Sequence, residues 1–209
     1  MEPTHLLLVR HGETDYNRYN IIQGTRDVPL NEIGRRQAEE LSDKLSGVPI
    51  DAAYSSCLSR AFETANIIMK PHELSVKQYP ELNEMHFGTY EGKRYKDVKH
   101  LWDVVHDAWN NGDIDRSFKD GENPLQVQDR ADARMQSIID QHPSETVLIV
   151  THGRLMRILL SKWFDVGLTR MDEIAIPNTV VYHVRIDGDS IKPEMINDVS
   201  QIQEMFQSK

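Results

Sequence analysis

Leu6-Leu7-Leu8-Val9-Arg10-His11-Gly12-Glu13-Thr14 decides how the rest of the chain is read. Four apolar residues in a row, with no polar alternation, have the pattern of a strand covered on both faces. Such a strand belongs in a parallel sheet with helices on either side. The run stops at a cation, an imidazole and a residue without a side chain. In a parallel sheet the carboxyl ends of the strands open on one crevice, and ligands bind there. The sequence 145–151 repeats the pattern and stops at His152-Gly153. Two strands of the same direction would bring His11 and His152 into one site. A lone histidine at a strand end commonly satisfies a loop carbonyl; a pair with Arg10 beside it points to a function.

Outward from these two strands the chain alternates strands and helices. Asn31 is placed to cap a helix whose inner face is Gly34, Ala38, Leu41 and Leu45, and Gly47 and Pro49 stop it. A short strand at 51–55 leads into a helix with Leu58, Ala61, Phe62, Ala65, Ile68 and Met69 on one face, ending before Pro71. Residues 74–79 form a third strand. From 80 to 121 the pattern loosens, and Trp102, Val105 and Trp109 mark one short amphipathic helix in a lid or insertion around 92–121. Asn123-Pro124 restarts regular structure as N-cap and first helical residue. Val127, Ala131, Met135, Ile138 and Ile139 line that helix, and Ile158, Leu159, Leu160 and Trp163 line the one after Gly153. A strand at 180–186, a turn at Asp187-Gly188 and a last strand near Ile191 read as an antiparallel edge. The expectation is one α/β domain over 1–209. It has three layers, α/β/α, with a mainly parallel central sheet and one antiparallel edge strand.

The chain has 209 residues and a formal charge of -9. Nucleic acid and anionic membranes demand a broad cationic surface, so neither is expected as a partner. A small anionic substrate needs only a local positive site. One cysteine, Cys57, cannot close an internal disulfide, and the N-terminus lacks the order of a signal peptide. Both fit a cytoplasmic protein.

Two further stretches carry chemistry. Arg60 falls in the first turn of the helix after the second strand, where free N–H groups and the helix dipole suit phosphate and a guanidinium adds a fork of donors. Cleaving a phosphoester also requires a proton for the leaving alkoxide, and a carboxylic acid in partly apolar surroundings can hold one. Glu81, Glu84 and Glu91 all stand near Met85, Phe87 and Tyr90, and residue pattern alone does not choose among them.

With these motifs in this order, the chain resembles the histidine phosphatase superfamily, in its phosphoglycerate-mutase-like branch, and most of all the short broad-specificity phosphatases. The likeness spans nearly the whole chain. It rests on Arg10-His11-Gly12-Glu13-Thr14 with Asn17, Gln23-Gly24, residues 27–34, Tyr54-Ser55-Ser56, Leu58-Ser59-Arg60-Ala61, Thr64-Ala65, residues 84–92, Gly121-Glu122 and Val150-Thr151-His152-Gly153. The resemblance implies that His11 attacks phosphorus and becomes phosphohistidine. Arg10, Arg60 and His152 would surround the phosphoryl oxygens, helped by Asn17 and the backbone near Gln23, Gly24 and Gly153. Glu84 would protonate the leaving group and then activate water. A small phosphorylated metabolite as substrate, inorganic phosphate as product, and no metal or organic cofactor are further implications.

Three other readings compete with a phosphatase. Returning the phosphoryl group to another hydroxyl would make the protein a mutase, but the cofactor-dependent mutases carry a longer insertion after the Glu84 region. A catalytically silent binding protein would not require His11 and Glu84 together. A cysteine phosphatase needs a Cys-x5-Arg loop, and Cys57 to Arg60 is too short. For the leaving group, Trp102, Trp109, Phe118, Met85 and Phe87 suggest a lid of apolar character that favours bulky or aromatic monoesters over highly charged bisphosphates, and simple packing of both tryptophans against the body is an equal alternative.

Overall fold

The computed structural model describes residues 2–188 and 190–196. Its strands are β1 (Thr4–Arg10), β2 (Ala52–Ser55), β3 (Val76–Gln78), β4 (Thr146–Thr151), β5 (Val181–Asp187) and β6 (Ser190–Ile196). The helices are α1 (Asp15–Arg18), α2 (Glu32–Leu45), α3 (Ser59–Met69), α4 (Tyr95–Asn110), α5 (Pro124–Gln141) and α6 (Gly153–Trp163). One six-stranded sheet runs in the order β3-β2-β4-β1-β5-β6. The first four of these strands are parallel, β5 pairs antiparallel with β1, and β6 folds back antiparallel on β5.

Alternate residues of β1 serve opposite faces, as a pleated strand requires. Leu7 and Val9 pack with Leu41, Leu45, Ala61, Ala65 and Ile68 of α2 and α3. Leu6 and Leu8 pack with Val127, Ala131, Leu155, Ile158 and Leu159 of α5 and α6. The apolar run is therefore continuous because both of its faces are core, and the layers are helix, sheet, helix.

Local signals set the helix ends. The Asn31 side chain accepts the Gly34 N–H at 2.8 Å and starts α2. Asn123 accepts the Gln126 N–H while the Gln126 side chain accepts the Asn123 N–H, both at 2.9 Å, a capping box with Pro124 just inside. The segment 92–121 differs from the sequence reading in one respect. Its helix α4 is 16 residues long, not short, and its inner side, Val98, Val105 and Trp109, is core. Exposed Leu101 and Val104 put apolar residues on the outer side as well and blur the helical period. Phe118, behind α4, is buried with its ring 4.5 Å from Trp102 and 5.5 Å from Trp109. Among the described residues no helix is long and apolar enough to cross a membrane.

Candidate active site

Register joins the two histidines. Arg10 stands opposite Thr151 in the β1–β4 ladder, so the next residue of each strand is a histidine, and His11 N–H donates to the Thr151 carbonyl at 3.0 Å. The rings come to rest 5.1 Å apart, both buried. Behind His11 the chain turns tightly against the first turn of α2. A Cβ on Gly12 would lie 2.4 Å from the Gly34 oxygen, so this glycine permits a backbone contact rather than a ligand. At Gly153 an added Cβ would meet Arg10 at 3.5 Å, an ordinary contact, so packing there does not demand glycine.

The Gly12 carbonyl accepts from His11 Nδ1 at 2.7 Å, since a carbonyl can only accept. That bond puts the ring proton on Nδ1 and leaves Nε2 with a bare lone pair. Burial, then Arg60, then Arg10 hold the imidazole well below its ordinary value of 6.5. His152 is held low by burial, Arg60, His11 and Arg10. Both rings are neutral at neutral pH.

Arg60, fully buried, is delivered by the first turn of α3. Its Nη1 and Nη2 donate to the carbonyls of Arg26 and Gly24, each at 2.8 Å. Arg10 Nη1 donates to the Ile176 carbonyl at 2.5 Å. Burial draws both guanidinium groups down to about 10, so each remains a cation at neutral pH. Arg10 Nε, Arg60 Nε and His152 Nδ1 are buried nitrogens without a hydrogen-bond partner among the described residues. A buried polar atom left unpaired is costly, and two guanidinium donors with a ring nitrogen, all in electrostatic contact with His11, have the chemistry of an anion cradle.

The structure separates the three candidate carboxylates. Glu81 pairs with Arg134 at 2.9 Å, away from the histidines. Glu91 accepts from Thr25 N–H at 2.8 Å and Phe87 N–H at 3.0 Å, bracing the turn at Gly24. Glu84 alone lines the same cavity as His11. Its carboxylate accepts from the backbone of Met85 at 2.9 Å and from Arg154 and Leu155, each at 3.1 Å, at the start of α6.

A cavity of about 370 Å³ collects Arg10, His11, Asn17, Gln23, Gly24, Arg60, Glu84 and Gly153 along its walls. His152 lies beneath it, against the His11 ring. Asn17 and Gln23 are steadied by Thr14, whose hydroxyl lies 3.1 Å from Asn17 Oδ1 and 2.9 Å from Gln23 Oε1. The residues that the resemblance implies for the phosphate site, Arg10, His11, Asn17, Gln23, Gly24, Arg60, Glu84, His152 and Gly153, therefore reach one locus. Of the apolar residues expected over it, Phe87 and Trp102 line the cavity, whereas Met85, Trp109 and Phe118 are core.

Sequence reasoning missed the residues that hold this locus together. Arg130 of α5 donates to the carbonyls of Glu81, Asn83 and Glu84 at 2.7, 2.8 and 3.2 Å and pairs with Glu122 at 2.8 Å. Asn178 donates to the His11 carbonyl at 2.9 Å. Arg154 and Arg157 add two cations to the cavity wall. The helical i, i+3 spacing of Arg154 and Arg157 just past His152-Gly153 was their available signal. Arg130 and Asn178 had none, because the backbone carbonyls that they hold lie far away in sequence. Among the described residues no cluster of three His, Cys, Asp or Glu side chains is arranged to hold a metal ion.

Residues 6–199 match the model of the histidine phosphatase superfamily (branch 1). The chain is 34% identical over 202 residues to Phosphoglycerate mutase-like protein 4 of Arabidopsis thaliana, covering 95% of this chain and 87% of that one. It is 34% identical over 165 residues to the Metal-independent phosphoserine phosphatase of the same plant, covering 76% and 68%. Among solved structures, Bacillus stearothermophilus YhfR superposes with a TM-score of 0.86 at 34% identity, over 95% of this chain and 99% of that one.

Proposed function

The chain belongs to the histidine phosphatase superfamily, and from that premise we propose that it hydrolyses small phosphate monoesters through a phosphohistidine on His11. One observation carries the reading. His11 Nδ1 is tied to the Gly12 carbonyl, so Nε2 is the nucleophilic nitrogen, beside three buried nitrogens, of Arg10, Arg60 and His152, that lack partners among the described residues. Nε2 attacks phosphorus, the P–O ester bond breaks, and Glu84 gives its proton to the leaving alkoxide. Water then attacks phosphorus, its proton passes to Glu84, and the P–N bond breaks to release phosphate. Arg10, Arg60 and His152 hold the three phosphoryl oxygens, where charge spreads in a loose transition state, with Asn17, Gln23, Gly24 and Gly153 at the rim. No metal or organic cofactor enters this scheme, in keeping with the name of the metal-independent relative.

Beyond the phosphate position the cavity wall is divided. Phe87, Tyr95 and Trp102 offer apolar contact, while Arg154 and Arg157 offer positive charge. Arg157 donates Nε to the Ile174 carbonyl at 3.0 Å and lies 3.7 Å from Asp172. That wall favours a small leaving alcohol bearing a carboxylate over a purely apolar one. 3-Phosphoglycerate and glycerol 3-phosphate form a matched pair, and we expect kcat/KM for the former to exceed the latter by roughly tenfold. Equal values would remove the carboxylate preference.

The test of the reaction itself is turnover of p-nitrophenyl phosphate at mildly acidic pH, with and without EDTA, beside His11→Ala. Turnover should be indifferent to EDTA and lost in the variant, and an alkaline denaturing quench, which spares the acid-labile P–N bond, should find phosphate on His11 alone. A wild-type protein inert towards this and a panel of natural esters would overturn the reading. Likeness to a protein called mutase-like keeps a second reading in play. Conversion of 3-phosphoglycerate to its 2-isomer without release of phosphate would establish that one instead.

A further inference from the structure

Ser56 lies just past β2, fully buried, and has no part in the scheme above. Its Oγ accepts the Leu58 N–H at 3.1 Å and stands 2.6 Å from His152 Nε2. Among the described residues it has no third hydrogen-bond partner. A hydroxyl has one proton to give. With the Leu58 N–H already occupying a lone pair, that proton has one destination, the Nε2 of His152. A neutral imidazole that accepts at Nε2 must carry its own proton on Nδ1. Nδ1 is the nitrogen of His152 that is buried without a partner among the described residues. The opposite arrangement fails twice. An Nε2–H pointing at Ser56 would leave the hydroxyl proton without an acceptor, and it would turn a bare Nδ1 lone pair towards the phosphoryl oxygens.

We propose that Ser56 is a positioning residue that fixes the Nδ1–H tautomer of His152 and so makes this ring a neutral, permanently oriented donor to a phosphoryl oxygen. The inference rests on the phosphate-contacting role given to His152 above. Neutrality follows from burial and from the neighbouring Arg60, His11 and Arg10, which together keep the ring from charging. The benefit is preorganisation: a donor whose direction is settled before the substrate arrives needs no reorientation as charge develops. Ser56 acts through His152 and touches no reacting atom.

Nitrogen-15 spectra of histidine-labelled protein without substrate read the tautomer directly, with His152 assigned by its loss in His152→Gln. Wild type should show a protonated Nδ1 and a bare Nε2. Ser56→Ala should lose that pattern, mixing in the Nε2–H form, and should lower kcat/KM about tenfold to a hundredfold. Ser56→Cys keeps a weak donor of similar size and should fall between the two. In a His152→Gln background, Ser56→Ala should add nearly nothing, since the two residues act as one unit. A merely structural role, through the lost Leu58 bond, would lower Tm yet leave the tautomer alone and cost activity equally in both backgrounds. The proposal is overturned by an Nε2–H or doubly protonated His152 in wild type, or by an unchanged tautomer in Ser56→Ala. If the wild-type tautomer is as stated and is lost in Ser56→Ala, but the protein turns over no phosphoester, the tautomer control stands and the phosphatase reading falls alone.

Discussion

Arg60 presses on His11 through its charge as well as on whatever anion the cradle receives, and the two effects can be measured apart. In the folded protein His11 resists protonation because burial, Arg60 and Arg10 all oppose a second positive charge there. The acid limb of kcat/KM, which reports the free enzyme, should therefore lie well below the ordinary imidazole value. Arg60→Gln removes one of those cations and lets the His11 pKa rise. The variant should lose roughly a hundredfold to a thousandfold in kcat, in line with the loss of one fixed donor, and its acid limb should move to higher pH. A rate loss with an unmoved limb would mean that Arg60 holds the anion without tuning the nucleophile. Single residues were unevenly legible in the sequence. His11, His152 and Arg60 announced themselves because each ends or begins an element at the crevice. Glu84 did not, because Glu81 and Glu91 sit in the same loop-rich stretch. The family resemblance singled it out where residue pattern did not, and in three dimensions Glu81 is paired with Arg134, Glu91 braces Thr25 and Phe87, and Glu84 lines the cavity.

Contact between the β1–α1 loop and the start of α2 sets two element-level rules against each other at Gly34. Helix propensity favours alanine over glycine within a helix, by at most about 1 kcal/mol in the first turn where Gly34 stands. Packing says the reverse, because a Cβ on Gly34 would stand 2.1 Å from the Glu13 carbonyl oxygen, and that atom is backbone. The contact should win. Gly34→Ala should destabilise by about 1–3 kcal/mol, as overpacked sites do, and lower kcat/KM, because the loop it displaces carries Thr14 and follows directly on His11. Urea unfolding and steady-state kinetics on one preparation test both effects, and a stabilised, fully active variant would contradict the geometry. Elements were legible where the period was clean, as in α2, α5 and β4, whose inner faces match their sequence patterns. For α4 the period was broken by Leu101 and Val104 on the outer side. That helix was undersized in the sequence reading for a physical reason, since a stripe on two sides does not register as one face.

For the whole molecule, the α/β class followed from strand and helix alternation, but the strand order did not. Nothing local says that β4 inserts between β2 and β1, or that β5 and β6 extend the far side. That arrangement places a second histidine pair inside the β1–β5 ladder, with consequences for stability. His5 Nδ1 and His183 Nε2 are 2.8 Å apart with the rings stacked at 5.1 Å, both buried. Burial, then His5, then Arg185 lower His183 to about 4. In the unfolded chain the same group takes its proton near 6.5. Between those values the unfolded state binds more protons than the native one. Stability is therefore fully present above the upper value and falls as pH drops through the window. One proton corresponds to a slope of about 1.4 kcal/mol per pH unit, or roughly 3 kcal/mol across the window. His11 and His152 are also held neutral by burial and add to the acid sensitivity of wild type. Their shares cancel when wild type is compared with His183→Gln, which keeps a polar group at the site but cannot titrate. Urea unfolding free energies at pH 7.5, 6 and 5 should show the variant losing stability more slowly, by close to one proton's worth of slope. Parallel lines would mean that His183 charges as readily in the fold as outside it, and that the buried histidine pair does not set the acid limit of this protein.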